Sequence, residues 1–189
     1  ALRRGAPPGG LLELLPCYRA LFLGSLLVAL GSSYYHWHPT NATLTWDRLS
    51  MTVAFMAFFA ALLGEHLGSA WGRWSLAPLL ALGALSVFYW QWTEQAGHGD
   101  LRPYALVQFL PLLCTPLILW LFPASLAPGR YVWLLIGGYA LAKILEDADR
   151  QLFRATGSTI SGHSLKHVAA AGGLYFFLVA LRRRRPISS

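Results

Sequence analysis

Five side chains in this sequence have the types and spacing for metal-assisted hydrolysis. His163 and His167, in the run SGHSLKH, lie four residues apart, as do Ser32 and His36, and Asp47 follows His36 by eleven. On helices, that spacing puts each pair on one face. Two histidines so placed can bind one metal ion, and a third from a facing segment leaves the fourth tetrahedral position open, which is the pattern of a catalytic zinc site. Zn2+ is therefore the expected cofactor, because it lowers the pKa of bound water to about 7 and polarises a carbonyl. Asp47 has the chemistry of a general base, and the Ser32 hydroxyl can hydrogen-bond a developing oxyanion. HxxxH alone carries little weight: it lacks the glutamate of HExxH zincins, and a lone membrane histidine is more often a satisfied polar residue than a ligand. Haem ligation is a weaker reading, since two histidines on one face suit a single ion better than a haem sandwich. His38 should point away from His36, and His66 and His98 fall outside the group.

These residues must be held by elements built for hydrocarbon. Of 189 residues, 56% are hydrophobic and 12% charged, too apolar for an ordinary soluble domain. Crossing a bilayer takes ~20 mostly apolar residues per helix. Six such runs are visible, at about 17–36, 44–64, 75–93, 103–123, 131–152 and 158–181, with no strand alternation. The expectation is an all-α integral membrane protein: residues 1–16 an N-terminal linker or interfacial segment, 17–181 a transmembrane bundle carrying the zinc site, and 182–189 a basic tail. The first run ends in a polar cluster and is read as a retained span, not a signal peptide. Pro39 should stop it, and the short turn makes the first two helices antiparallel neighbours. Tyr34, Tyr35 and Trp37 suit an interface belt. Pro111 and Pro116 should kink the fourth helix, and Cys17 and Cys114 read as small packing residues. The Asn41-Ala-Thr43 sequon, so near a boundary, reads as coincidence.

Charge sets the orientation. If six spans alternate, one side carries nine basic residues (Arg3, Arg4, Arg19, Arg73, Arg130 and Arg182 to Arg185) against Glu13 and Glu65, and the other carries six of each sign. The whole +7 then lies on one face, which the positive-inside rule makes cytoplasmic. The basic balance is thus a topology signal and implies no nucleic-acid partner. The same parity puts Ser32, His36, Asp47, His163 and His167 in one depth zone on the non-cytoplasmic side. Tyr139, Lys143, Glu146, Asp147 and Arg150 share a stripe on the fifth helix, where intramembrane charges should face the interior and pair. Lys143 with Asp147 is the candidate pair, and Lys143, Glu146 and Asp147 are candidate polar neighbours of the site. Asp149 and Arg150 read as solvated at the helix end.

Ser32-x3-His36, Asp47 and the HxxxH of the last span together resemble the signature of the CREST superfamily of membrane hydrolases, and within it the alkaline ceramidases, particularly their bacterial members. The resemblance covers nearly the whole chain. It implies a seven-helix bundle, with zinc held by His36, His163 and His167, Asp47 and Ser32 beside it, and cleavage of the amide bond of ceramide to a sphingoid base and a fatty acid. Two departures stand out. Six spans are visible where the family has seven, so the first is missing or degenerate, and nothing matches the acidic N-terminal calcium site of eukaryotic ceramidases. The superfamily also resembles this chain through receptors and GPI-anchor remodelling enzymes. The expected partner is therefore a ceramide-like lipid in the bilayer, with a lipid ester hydrolase or a zinc-containing lipid-binding receptor as alternatives.

Overall fold

A computed structural model describes residues 12–122, 126–127, 130–183 and 185–186. These fall into two compact units, one within Leu11–Ser125 and one within Leu126–Ser189. Both are helical, and four helices are long and apolar enough to cross a membrane: Leu12–Trp37, Asn41–Leu67, Arg102–Leu121 and Gly162–Arg183. The expected linker at 1–16 lies largely outside the described residues, but Leu12–Leu14 form a 3-10 turn that runs directly into the first helix. Of the basic tail, Arg182 and Arg183 belong to the last helix, Arg185 and Pro186 pair antiparallel with Ala127 and Leu126, and the remainder lies outside the described residues.

The first unit contains four helices. Helix α1 (Leu15–Trp37) starts with Pro16 in its first turn, where the missing N–H costs nothing, and closes as the His38 N–H donates to the Tyr34 carbonyl. Helix α2 (Asn41–Leu67) is started by Thr40: its hydroxyl accepts from the Thr43 N–H at 3.2 Å, and the Thr40 N–H donates to Thr43 Oγ1 at 3.0 Å. That reciprocal cap satisfies two donors that the helix leaves orphaned. It gives Thr43 of the sequon a structural use, and Asn41 Nδ2 donates to Glu94 at 3.0 Å. Helix α3 (Ser69–Gln95) and helix α4 (Arg102–Leu121) complete the unit.

Helix α2 packs against α1, α3 and α4. Met56 to Leu62 are accordingly buried without interruption, because a helix surrounded by others has no face to leave polar. Large apolar side chains elsewhere face outward, including Leu23, Leu26, Leu30, Leu85 and Leu113. Exposed tryptophans gather at helix ends: Trp37, Trp46 and Trp92 at one end, Trp71, Trp74 and Trp120 at the other. Trp71 and Trp92, at opposite ends of α3, are ~31 Å apart along the axis at ~1.5 Å per residue, close to the ~30 Å hydrocarbon thickness. Both prolines expected to disturb α4 lie inside it, and the buried Thr115 hydroxyl donates to the Pro111 carbonyl in the affected stretch. Cys17 and Cys114 are free, and Cys17 Sγ is buried 3.5 Å from the Gly72 carbonyl. In the α3–α4 loop, Arg102 holds the Asp100 carboxyl well below the usual carboxylate range through side-chain and backbone hydrogen bonds.

The second unit contains helix α5 (Arg130–Asp147), helix α6 (Asp149–Ala155) and helix α7 (Gly162–Arg183). The sequence predicts one helix over 131–152, but it breaks at Ala148 (φ −83°, ψ 7°). The last span, expected from 158, begins four residues later. Gly157 and Ser158 both sit at φ 62°, a left-handed pair that turns the chain before α7 can start. Helices α5 and α7 meet through Gly138 and Gly173, where a Cβ on Gly138 would lie 2.8 Å from Gly173 Cα.

Candidate metal centre

In the second unit, the late start of α7 puts His163 in its first turn and His167 one turn on, ~1.5 and ~7.5 Å along the helix from Gly162. They are therefore shallower than a helix from 158 would make them. His163 Nε2 and His167 Nε2 lie 3.3 Å apart, with ring centroids 5.1 Å apart and planes tilted at 69°. Two nitrogens bound to one tetrahedral zinc at ~2.0–2.1 Å are separated by about 3.3–3.4 Å. The imidazole pair thus has a separation that a shared metal ion could span, and at which the two rings can also hydrogen-bond. His163 is half-buried and His167 exposed.

The turn that carries them is tied to α5 and α6. Ser161 Oγ accepts the Ser164 N–H at 3.0 Å, a serine cap, and Asp149 Oδ1 accepts the His163 N–H at 2.7 Å. Asp149 therefore does more than end a helix in solvent, as its sequence position suggested. A second correction concerns Lys143. It pairs with Glu146, one turn on, and Glu146 also takes Lys166 of α7, while Asp147 is exposed. Three residues set the Lys143 and Glu146 side chains on the α7 side of α5, and the second lysine comes from a helix that spacing within α5 cannot reveal.

The first unit holds the other candidates. Ser32 is buried and His36 exposed in the last turn of α1, its ring 5.4 Å from that of Tyr35. Asp47 is half-buried in the second turn of α2. Gly31 brings their turns together: a Cβ there would stand 2.7 Å from Ser50 Oγ, 2.9 Å from the Trp46 carbonyl oxygen and 3.1 Å from Asp47 Cα. Ser32, the next residue, is thereby held at the level of Asp47. Comparison with protein-family models, curated proteins and solved structures finds no match.

Two other histidines meet backbone carbonyls: His66 Nδ1 lies 3.2 Å from that of Phe122 and His98 Nδ1 3.2 Å from that of Ala96. Beside Asp47, the Arg48 guanidinium lies 3.9 Å above the Trp90 ring and 5.3 Å from that of Tyr104. Sequence reading counts Arg48 only as a charge; its two aromatic partners come from other helices. Also missed is Glu65, 2% exposed, which accepts a 2.8 Å hydrogen bond from the Tyr18 hydroxyl.

Proposed function

We propose that this chain is a multi-pass membrane zinc hydrolase that cleaves the N-acyl amide bond of a ceramide-like lipid. The observation that carries the reading is the 3.3 Å Nε2 to Nε2 separation of His163 and His167. His36 is the third ligand in this proposal, on the topological argument that the ends of the first and last spans share one side of the membrane. Six spans are proposed. The tryptophans ~31 Å apart on α3 support a crossing there, and the pairing of Lys143 with Glu146 lowers the cost of placing α5 in a membrane.

When bound, zinc supplies Lewis acidity and an acidified water. Asp47 accepts a proton from the attacking water and returns it to the leaving amine as the carbon–nitrogen bond breaks. Ser32 donates a hydrogen bond to the carbonyl oxygen as negative charge develops on it. The outward-facing leucines of α1 and α4 are suited to acyl chains arriving laterally from the bilayer. The site is proposed to open on the non-cytoplasmic side.

The test combines metal analysis of the purified protein with mass spectrometry of ceramide and ester lipids after incubation. Stoichiometric zinc that is lost in His36→Ala, His163→Ala and His167→Ala, together with release of fatty acid and sphingoid base, supports the reading. Ester cleavage alone moves the assignment to a lipid esterase. Lipid retained without product makes the chain a receptor-like binder.

A further inference from the structure

We infer that Asp149 is a positioning residue for His163, acting from the break between α5 and α6. The inference rests on the proposed metal centre, but its observations lie wholly within the second unit. Asp149 Oδ1 accepts the His163 backbone N–H at 2.7 Å across fourteen residues of sequence. Helix N-termini leave their first N–H groups without intrahelical partners. At α7, Ser161 serves the Ser164 N–H, and the carboxylate of Asp149 serves that of His163.

The local backbone is shaped for this bond. Ala148 (φ −83°, ψ 7°) separates α5 from α6, and Asp149 is the first residue after it. Gly162 makes the approach feasible: a Cβ there would collide with the Leu145 carbonyl oxygen and stand 2.8 Å from Asp149 Cα. The first residue of α7 therefore sits against the backbone of the break, and the next residue is the candidate ligand. Lys166, a turn further on, is held to α5 through Glu146. His163 is thus fixed through its own backbone from one side and through the following turn from the other. A ligand near a frayed helix end loses orientation unless its turn is pinned, and outer partners of metal ligands typically contribute 10–100-fold to affinity.

The experiment is a cobalt(II) titration of the full chain in detergent, read by the visible ligand-field spectrum, alongside amide hydrogen exchange over residues 161–167. The variants are Asp149→Ala, which removes the acceptor, and Asp149→Asn, which keeps a carbonyl oxygen for the same N–H. Asp149→Ala should weaken cobalt binding about tenfold, change the spectrum and speed exchange at His163. Asp149→Asn should recover most of the affinity. Parent-like cobalt affinity in Asp149→Ala overturns the positioning role while leaving the metal centre intact. A parent protein that binds no cobalt through His163 and His167 overturns the metal-centre reading, and this inference with it. Should Asp149→Ala fail to fold, Asp149→Asn decides: a loss equal to that of His163→Ala counts against the hydrogen bond as the cause.

Discussion

At the scale of single residues, the proposed chemistry separates metal binding from turnover. In the proposed reaction Asp47 carries a proton and binds no metal, so Asp47→Asn should leave zinc content unchanged while turnover falls by ~10²–10⁴, the usual worth of a positioned base. Zinc content and product release measured on one preparation check this, and normal turnover in the variant would remove Asp47 from the reaction. Tyr18 and Glu65 make a separate prediction about stability. Tyr18→Phe removes the donor to a carboxylate that is 2% exposed. Losing one hydrogen bond to such a buried charged group costs about 1–3 kcal/mol. Thermal unfolding in detergent should show that loss, with zinc content unchanged, because Tyr18 lies far from His36 along α1.

At the scale of elements, the site depends on how closely helices approach. Gly31 lets α1 lie against the second turn of α2, where a Cβ would meet the Trp46 carbonyl oxygen and Asp47 Cα. Gly31→Ala should therefore push the helices apart, costing about 1–3 kcal/mol as overpacking does. It should also lower turnover more than zinc content, since Ser32 and Asp47 move relative to each other while no histidine is touched. A paired stability and activity measurement distinguishes this from a purely structural defect, in which both would fall together. The α5–α6 break has the same logic. Helical periodicity over 131–152 predicted one element; it divides at Ala148, where Asp149 accepts the His163 N–H and Gly162 packs closely, neither of them local in sequence.

At the scale of the whole molecule, the described residues are largely helical, and among them four helices are long and apolar enough to cross a membrane. The uneven distribution of its Lys and Arg residues is the sequence feature that speaks to orientation. The six alternating spans proposed would put Arg182 to Arg185 on the cytoplasmic side. A C-terminal green fluorescent protein fusion should therefore fluoresce in a bacterial host, and a C-terminal alkaline phosphatase fusion should be inactive. The opposite pair of results would invert the proposed topology and bring the site to the cytoplasmic face. An odd number of spans between residue 37 and residue 162 would separate His36 from His163 and His167 altogether.

The sequence by itself determined the class of the protein and most of its helices, because hydrophobic runs of membrane length and their proline, threonine and glycine boundaries are local signals. It also singled out His163 and His167, since an i, i+4 pair shares a face on any helix. Only the tertiary structure decided what surrounds them. It put the imidazole nitrogens 3.3 Å apart, exchanged Asp147 for Glu146 as the partner of Lys143, added Lys166, and turned Asp149 from a solvated end residue into the acceptor for the His163 N–H. The last two depend on where a second helix lies. Spacing within one helix fixes which residues share a face, whereas partners fourteen or more residues away are set by backbone approach at positions such as Gly31 and Gly162.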